Sequence, residues 1–419
     1  MVLASALLAL PATRASASGP EAGRANAEEE GSPVATEPVH AVEAPKSVDE
    51  RLTIELFAEH PDIVTPVGIG ADADGRILVV ESNTHFPPEN YTRHASDRIL
   101  AMQDTDKDGR ADQITTFHDG LRHAMHLTIH PSGEVYVVTR NSVIRLRDTN
   151  ADGRADVSTT LMHLETKGDY PHNGLFSCAF DATGDLFVSM GENLGEAYRL
   201  VGADGTTVSG GGEGGNIFQA REDGSGVRKI ATGFWNPVQL EFDVFGRLFT
   251  VDNDPDSRPP CRLLHIVSGG DYGYRYRNGR AGLHPFTAWN GELPGTLPMV
   301  AGTGEAPSGL LFCEYDILPA DYRGDLLVTS WGHHRVERFR LKPHGATYRA
   351  SMQPVVVGPE DFRPVGMAAS PDGSLYITDW VDRSYELHGK GRIWRLRTRA
   401  ADEHSRGDGP PDEPARGLA

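Results

Sequence analysis

The chain has 419 residues, 38% of them hydrophobic, with 47 Gly, 28 Pro and a net charge of −19. Such an acidic balance excludes binding along a nucleic-acid phosphate backbone, which needs a basic surface. The Gly and Pro content suits many short strands and turns better than long helices, and no apolar run is long enough to span a bilayer.

In chain order, Val2 to Leu10 is a short apolar run, followed by Ala15-Ser16-Ala17, a small-residue cleavage pattern. This predicts a signal peptide over residues 1–17 and a secreted or periplasmic protein. No basic residue precedes the run, so an Ala-rich unstructured terminus is the alternative. Residues 18–50, rich in Ala, Glu and Pro, read as a disordered acidic linker. The folded unit is expected over 51–397, and the polar stretch 398–419 as a disordered tail.

Within the folded unit one phrase recurs six times: an apolar strand, a Gly turn, an apolar strand and a polar exit. It runs over 69–83 around Gly75, 127–141 around Gly133, 172–195 around Gly184 and 240–254 around Gly246. Two further copies span 310–333 around Gly324 and 367–382 around Gly373. Strand repeats of roughly fifty to eighty residues that end in Gly turns read as propeller blades. The expected fold is all-β, a six-bladed β-propeller, closed by one strand from the far terminus.

Two Asp-rich segments separate the first three hairpins. Asp104, Asp106, Asp108 and Asp112 surround Gly109, and Asp148, Asn150, Asp152 and Asp156 surround Gly153. Alternating oxygen ligands around a Gly describe a calcium loop. Thr115 and Thr159 replace the final Glu of an EF-hand, and bare Asp-Gly turns give the same pattern. The Gly-rich stretch 209–215 lacks the Lys and helix of a phosphate loop and reads as a flexible loop or a close backbone approach. Cys178, Cys261 and Cys313 form no zinc or haem pattern; buried thiols and a Cys178–Cys313 disulfide are both open.

In a hairpin, the residue before the first strand and the one after the second lie at the same end. Six hairpins therefore gather His123, His126, His172, Asn236, Glu305 and Arg363 with Glu81, Arg140, Asn193, Asp252, His333 and Asp379 around one mouth. Polar strand ends face solvent in any propeller. A set holding several His and carboxylates also makes a ligand site. A His near neutral pKa suits proton abstraction from an alcohol, and an Arg nearby stabilises the developing negative charge.

His172-Asn-Gly, Asp181-Ala-Thr-Gly184 and Val188-Ser-Met-Gly-Glu-Asn193 together resemble the catalytic-His blade of the soluble quinoprotein glucose/sorbosone dehydrogenases. Gly233-Phe-Trp-Asn-Pro237, Asp252-Asn-Asp-Pro255, Gly269-Gly-Asp-Tyr-Gly273 and Arg363-Pro-Val-Gly366 continue the likeness over most of 51–397. The chain is more similar still to the N-terminal propeller of planctomycete-type membrane-bound dehydrogenases. The resemblance implies an oxidoreductase that takes a sugar or sugar-derived alcohol, with pyrroloquinoline quinone and calcium in the propeller mouth. It makes His172 the base, with Arg363 beside it, and Asn236 and Arg363 cofactor contacts. It places calcium at the carbonyls of Asp254 and Pro255.

Trp235 stands where that family has an Arg, and Gly332 where a Lys is expected, with His333 next to it. Those losses remove charge-assisted bonds to the quinone carboxylates. The candidate cofactor set is Asn193, Trp235, Asn236, His333 and Arg363. The candidate metal set is Asp252, Asn253, Asp254 and Pro255 with the two Asp loops. The electron acceptor is expected to be a separate molecule such as a cytochrome. Two other functions suit the same rim. One is a carbohydrate- or partner-binding propeller using Trp235, Trp331 and Trp380. The other is a calcium-dependent lactone or ester hydrolase using Glu81, Asn193, Asn236 and Asp252.

Overall fold

The computed structural model describes residues 43–255, 260–278, 287–314 and 318–399. The expected signal peptide, most of the linker and most of the tail lie outside the described residues. The fold is a six-bladed β-propeller. Its sheets start from inner strands Pro66–Ala71, Ala124–Ile129, Leu175–Phe180, Asn236–Phe242, Pro307–Phe312 and Pro364–Ala369. These are the first strands of the six hairpins read from the sequence.

The second strands explain why the pattern was legible. Ile77–Glu81, Val135–Thr139, Leu186–Met190 and Leu326–Ser330 are buried at every position. Each is covered on both faces by neighbouring blades, so it reads as a continuous apolar run rather than an alternation. The core is accordingly six clusters, one between each adjacent pair of blades, that together complete a ring. At the outer end of the hairpins Gly75, Gly133, Gly184, Gly246, Gly324 and Gly373 all have φ between 76° and 88°. An added Cβ would meet nothing there, so Gly is required for backbone conformation and not for space. Asp72, Asp181 and Asp243 close three of these turns, each accepting N–H bonds from the residues two and four positions on.

Blade six joins an N-terminal strand to three C-terminal ones. Its inner strands Pro364–Ala369, Ser374–Asp379 and Arg392–Thr398 are completed by Leu52–Glu59, antiparallel to Arg392–Thr398. Residues 46–47, placed in the linker by composition, form a short strand on the outer edge of blade five, Lys46 opposite Val357. Between the second and third strands of blade three, a hairpin of Tyr198–Gly202 and Thr207–Gly210 crosses to extend blade two. The Gly-rich stretch leads the chain back from it. A Cβ on Gly214 or Gly215 would lie 2.7 Å from a backbone oxygen, of Tyr274 or Met190 respectively. A close backbone approach is what those glycines provide. All three cysteines are free and buried, so no disulfide joins Cys178 to Cys313. Among the described residues no helix is long and apolar enough to cross a membrane.

A variant lacking Leu52–Glu59 leaves the Arg392–Thr398 edge unpaired and uncovers Phe57's place in the cluster between blades six and one. It should lose the cooperative unfolding transition of the intact protein. A thermal melt followed by circular dichroism checks this.

Candidate functional site

The innermost strand of every blade slips register near its start. The shifts fall between Pro66 and Ile69, Ala124 and His126, Leu175 and Cys178, Pro237 and Leu240, Pro307 and Leu310, and Pro364 and Met367. A bulge releases residues from the ladder and re-aims them. The backbone groups so freed are satisfied by hydroxyls of the second strands. Ser189, Thr329 and Thr378 accept from the N–H of Ser177, Gly309 and Gly366, and Thr250 donates to the Gln239 carbonyl.

These six bulges surround an axial cavity of about 130 Å³. Its wall includes His85, His126, His172, Asn236, Gln239, Asn253, Ser82 and Ser308, with Phe176, Trp331, Trp380 and Tyr385. Among the described residues no Lys, Arg, Asp or Glu belongs to it. The wall therefore combines aliphatic side chains such as Val67, Val238, Val365 and Met367 with aromatic faces, amides, hydroxyls and imidazoles.

His172 and His85 meet in this cavity, Nε2 to Nε2 at 2.6 Å, with ring planes at 79°. Phe86, Tyr170 and Tyr385 pack around the His172 ring. Burial lowers the proton affinity of His172 to a pKa of about 4. Burial, and then the charge that His172 would carry, lowers His85 to about 2. Both imidazoles are thus neutral at pH 7 and able to accept a proton.

Three carboxylates of the expected rim, Glu81, Asp252 and Asp379, are turned to structural use. Asp252 is fully buried and receives Nε and one terminal nitrogen of Arg262 at 3.0 and 2.8 Å, and the backbone N–H groups of Trp235 and Asn236. Asp379 holds the backbone N–H of Arg363, the Arg392 guanidinium and the Trp394 indole. Glu81 accepts from the Val64 N–H and from Arg98. Each acid fastens the start of its own inner strand.

Of the cofactor candidates, Asn236 lines the cavity. Arg363 stands behind the wall, its guanidinium 4.5 Å from the centre of the Trp331 ring and donating to the Trp331 carbonyl. Its Nε is buried and unpartnered. Trp235 packs with Tyr274 and Trp289 in a separate apolar cluster. Asn193 is held by Arg140 and Thr166. His333 accepts the Glu305 N–H at 3.3 Å. At Gly332 a Cβ would lie 2.6 Å from the Glu305 side chain, so a longer residue is sterically excluded there.

Of the metal candidates, Asn253 lines the cavity, and the Asp254 N–H donates to Cys261 Sγ. Oxygens of Asp254 and Glu305 lie with that sulfur within 4.8 Å of one another. Pro255 follows directly and is buried. The two Asp loops connect the third and fourth strands of blades one and two, outside the cavity wall. Asp104, Asp106, Asp108 and Asp112 accept N–H bonds from their own loop. So do Asp148, Asn150, Asp152 and Asp156 in the second copy. These are the bonds of Asx turns, although Asp104 Oδ1 is buried without a partner and carboxylate oxygens of Asp104, Asp106 and Asp108 lie within 4.8 Å of one another.

A model of the family described as "Domain of unknown function (DUF7133)" matches residues 44–386. The chain belongs to the DUF7133 family. Comparison with curated protein sequences returns no match. Solved structures of similar fold include the PQQ-bound aldose sugar dehydrogenase of Streptomyces coelicolor, at 18% identity and TM-score 0.58. That alignment covers 84% of this chain and 99% of that one. The holo PQQ domain of pyranose dehydrogenase from Coprinopsis cinerea is similar at 14% identity and TM-score 0.60, over 87% of this chain and 99% of that one. The apo soluble aldose sugar dehydrogenase of Escherichia coli follows at 14% and 0.56, over 83% and 100%. Identities this low establish a shared fold alone.

The sequence pattern of this DUF7133 chain did not single out His85, Gln239 or Tyr385. His85 lies in the long connection between the second and third strands of blade one, beyond the hairpin that organised the reading. The signal that could have found it is its setting, Thr84-His85-Phe86-Pro87-Pro88, an imidazole and a ring within a segment too rigid for a casual loop.

Arg262→Met leaves Asp252 charged and buried. It should cost about 3–5 kcal/mol, read by urea denaturation, with no dependence on added calcium. Glu192 supplies a pH test. Burial raises its carboxyl to about 7, and its Oε2 has no partner. The folded state therefore holds this proton more tightly than the unfolded chain. Stability from this residue falls as pH climbs from about 4.5 to about 7, by roughly 3 kcal/mol, and is flat above. Glu192→Gln should remove that slope from denaturation midpoints measured across the window.

Proposed function

We propose that this propeller is an oxidoreductase site for a sugar or sugar-derived alcohol, with His172 as the base that removes the hydroxyl proton. The observation that carries the reading is the cavity wall: aromatic and aliphatic faces and amides around two neutral imidazoles, with no ionised side chain among the described residues. Rings such as Trp331 and Tyr385 suit the C–H faces of a sugar. Asn236, Gln239 and Ser308 suit its hydroxyls. The fold shared with aldose and pyranose dehydrogenases supports the reaction class.

The residues present do not fit pyrroloquinoline quinone. That cofactor carries several carboxylates, and paired cations are what hold such groups. Among the described residues the wall has no Lys or Arg. Arg140 spends its donors on the Tyr170 and Asn173 carbonyls and on the side-chain oxygens of Asn141 and Asn193, and Arg363 is stacked on Trp331. No step is assigned to that quinone. The chain's own contribution is to bind the alcohol, exclude water and take its proton, with hydride passing to a separate two-electron carrier. The N-terminal apolar run and Ala-x-Ala pattern support a secreted or periplasmic setting. Non-catalytic carbohydrate binding is the second reading, and the same uncharged wall favours it.

Calorimetry on the full chain with neutral hexoses, polyols and uronates separates these possibilities from the quinone. Neutral sugars should bind and uronates should not. Pyrroloquinoline quinone should not bind with or without calcium, and tight calcium-dependent uptake would overturn that assignment. In a dye-linked oxidation assay with the sugar that binds, His172→Ala should lower turnover by about 100-fold or more. Wild-type turnover in that variant would leave binding as the function.

A further inference from the structure

We infer that His85 is the positioning partner of His172, and that the two rings work as one proton-sharing pair. This rests on the reading of His172 as a base and assigns how that base is oriented.

The geometry sets the number of protons between them. Two imidazole nitrogens at 2.6 Å can hold one proton, so one Nε2 donates and the other accepts. A tetrahedral metal with bonds of about 2.0–2.1 Å would need these nitrogens roughly 3.3 Å apart. The observed spacing is that of a hydrogen bond. The near-perpendicular rings, 4.3 Å between centres, also leave each Nδ1 directed away from the shared contact.

The surroundings show that this pairing replaces the usual carboxylate. His85 is 5% exposed and touches Phe86 and Trp380. His172 is enclosed by Phe86, Tyr170 and Tyr385. The other titratable groups that face the pair are His123, whose charge opposes that of His85, and His126 in the same cavity, with an unpartnered Nδ1. Arg363 lies beyond Trp331. Among the described residues no carboxylate bonds to either ring. An Asp in that role would place a fixed charge in an apolar cavity, at a high desolvation cost. A neutral imidazole orients its partner without one.

A neutral pair has one bare Nδ1 and one protonated Nδ1. With the shared proton on His172 Nε2, His172 Nδ1 is the bare acceptor. Uptake from a ligand hydroxyl then breaks the O–H bond and forms Nδ1–H on His172. The positive charge stays on His172, the stronger base of the two, with its Nε2–H donated to His85 Nε2, and the negative charge forms on the ligand oxygen.

Long-range proton–nitrogen spectra of the full chain with 15N-labelled histidines, recorded near pH 7 without any ligand, test this directly. The expected result is one ring of the Nε2–H tautomer and one of the Nδ1–H tautomer, joined by a far-downfield shared proton. His85→Phe should abolish that proton and shift the His172 nitrogens. Two rings of one tautomer with no shared proton would overturn the pairing. So would stoichiometric zinc or copper in the purified protein that is lost in His85→Phe. With an oxidised sugar in hand, His85→Phe should lower kcat about 100-fold while KM stays within about twofold. An unchanged kcat would remove His85 as the positioning partner. Because the spectra need neither substrate nor variant, they stand even if no sugar is oxidised.

Discussion

Everything in this molecule depends on closing the ring. A propeller blade has two apolar faces and no element of its own to cover either, so each blade is stable only between two others. The six inter-blade clusters form a cycle, and the cycle is completed where Leu52–Glu59 pairs with Arg392–Thr398. That one antiparallel pair ties residues far apart in sequence and covers the outer edge of Arg392–Thr398. The loop-closure entropy of such a contact is large but grows only slowly with chain length. Two apolar clusters, on either side of blade six, offset it.

With the ring closed, the inner strands still need fixing at their starts, where the backbone leaves the ladder to line the axis. Ion pairs do this. Asp252 with Arg262 and Asp379 with Arg392 are desolvated, and each acid also takes backbone N–H groups of its own inner strand. Buried pairs are poor sources of net stability. What they supply here is position, since a strand start anchored by two or three charge-assisted bonds has little freedom. The same arrangement draws the ionised side chains away from the axis and leaves an uncharged cavity.

How much of this the sequence displays follows from which forces leave a periodic trace. Strands buried on both faces leave long apolar runs, and the turn glycines at Gly75 through Gly373 punctuate them, so all six hairpins were legible. Closure by a terminal strand was expected from the propeller class alone, with no residue pattern that marked Leu52–Glu59 as the closing strand. The bulges were not, because one residue out of register looks like ordinary strand. The hairpin 198–210 was not, because it serves a blade other than the one it interrupts. At the site, His172, Asn236 and Asn253 reach the cavity as their hairpin positions imply. Trp235 and Asp252 do not, because an indole finds partners in Tyr274 and Trp289 and a carboxylate in Arg262. Motif position places a residue at the mouth; the competition among neighbours decides which way it faces.

The six bulges carry one more consequence. Part of the axial wall, including Val67, Met125, Phe176, Gln239, Ser308 and Val365, comes from residues released from strand pairing, while residues that hold the ring lie one or two positions further along the same strands. Wall and frame are thereby uncoupled within a single short segment. The lining can change from amide to aromatic to imidazole without disturbing the sheets behind it. A scaffold built this way is able to acquire new specificities by local substitution, much as a socket accepts different fittings without alteration of the wrench.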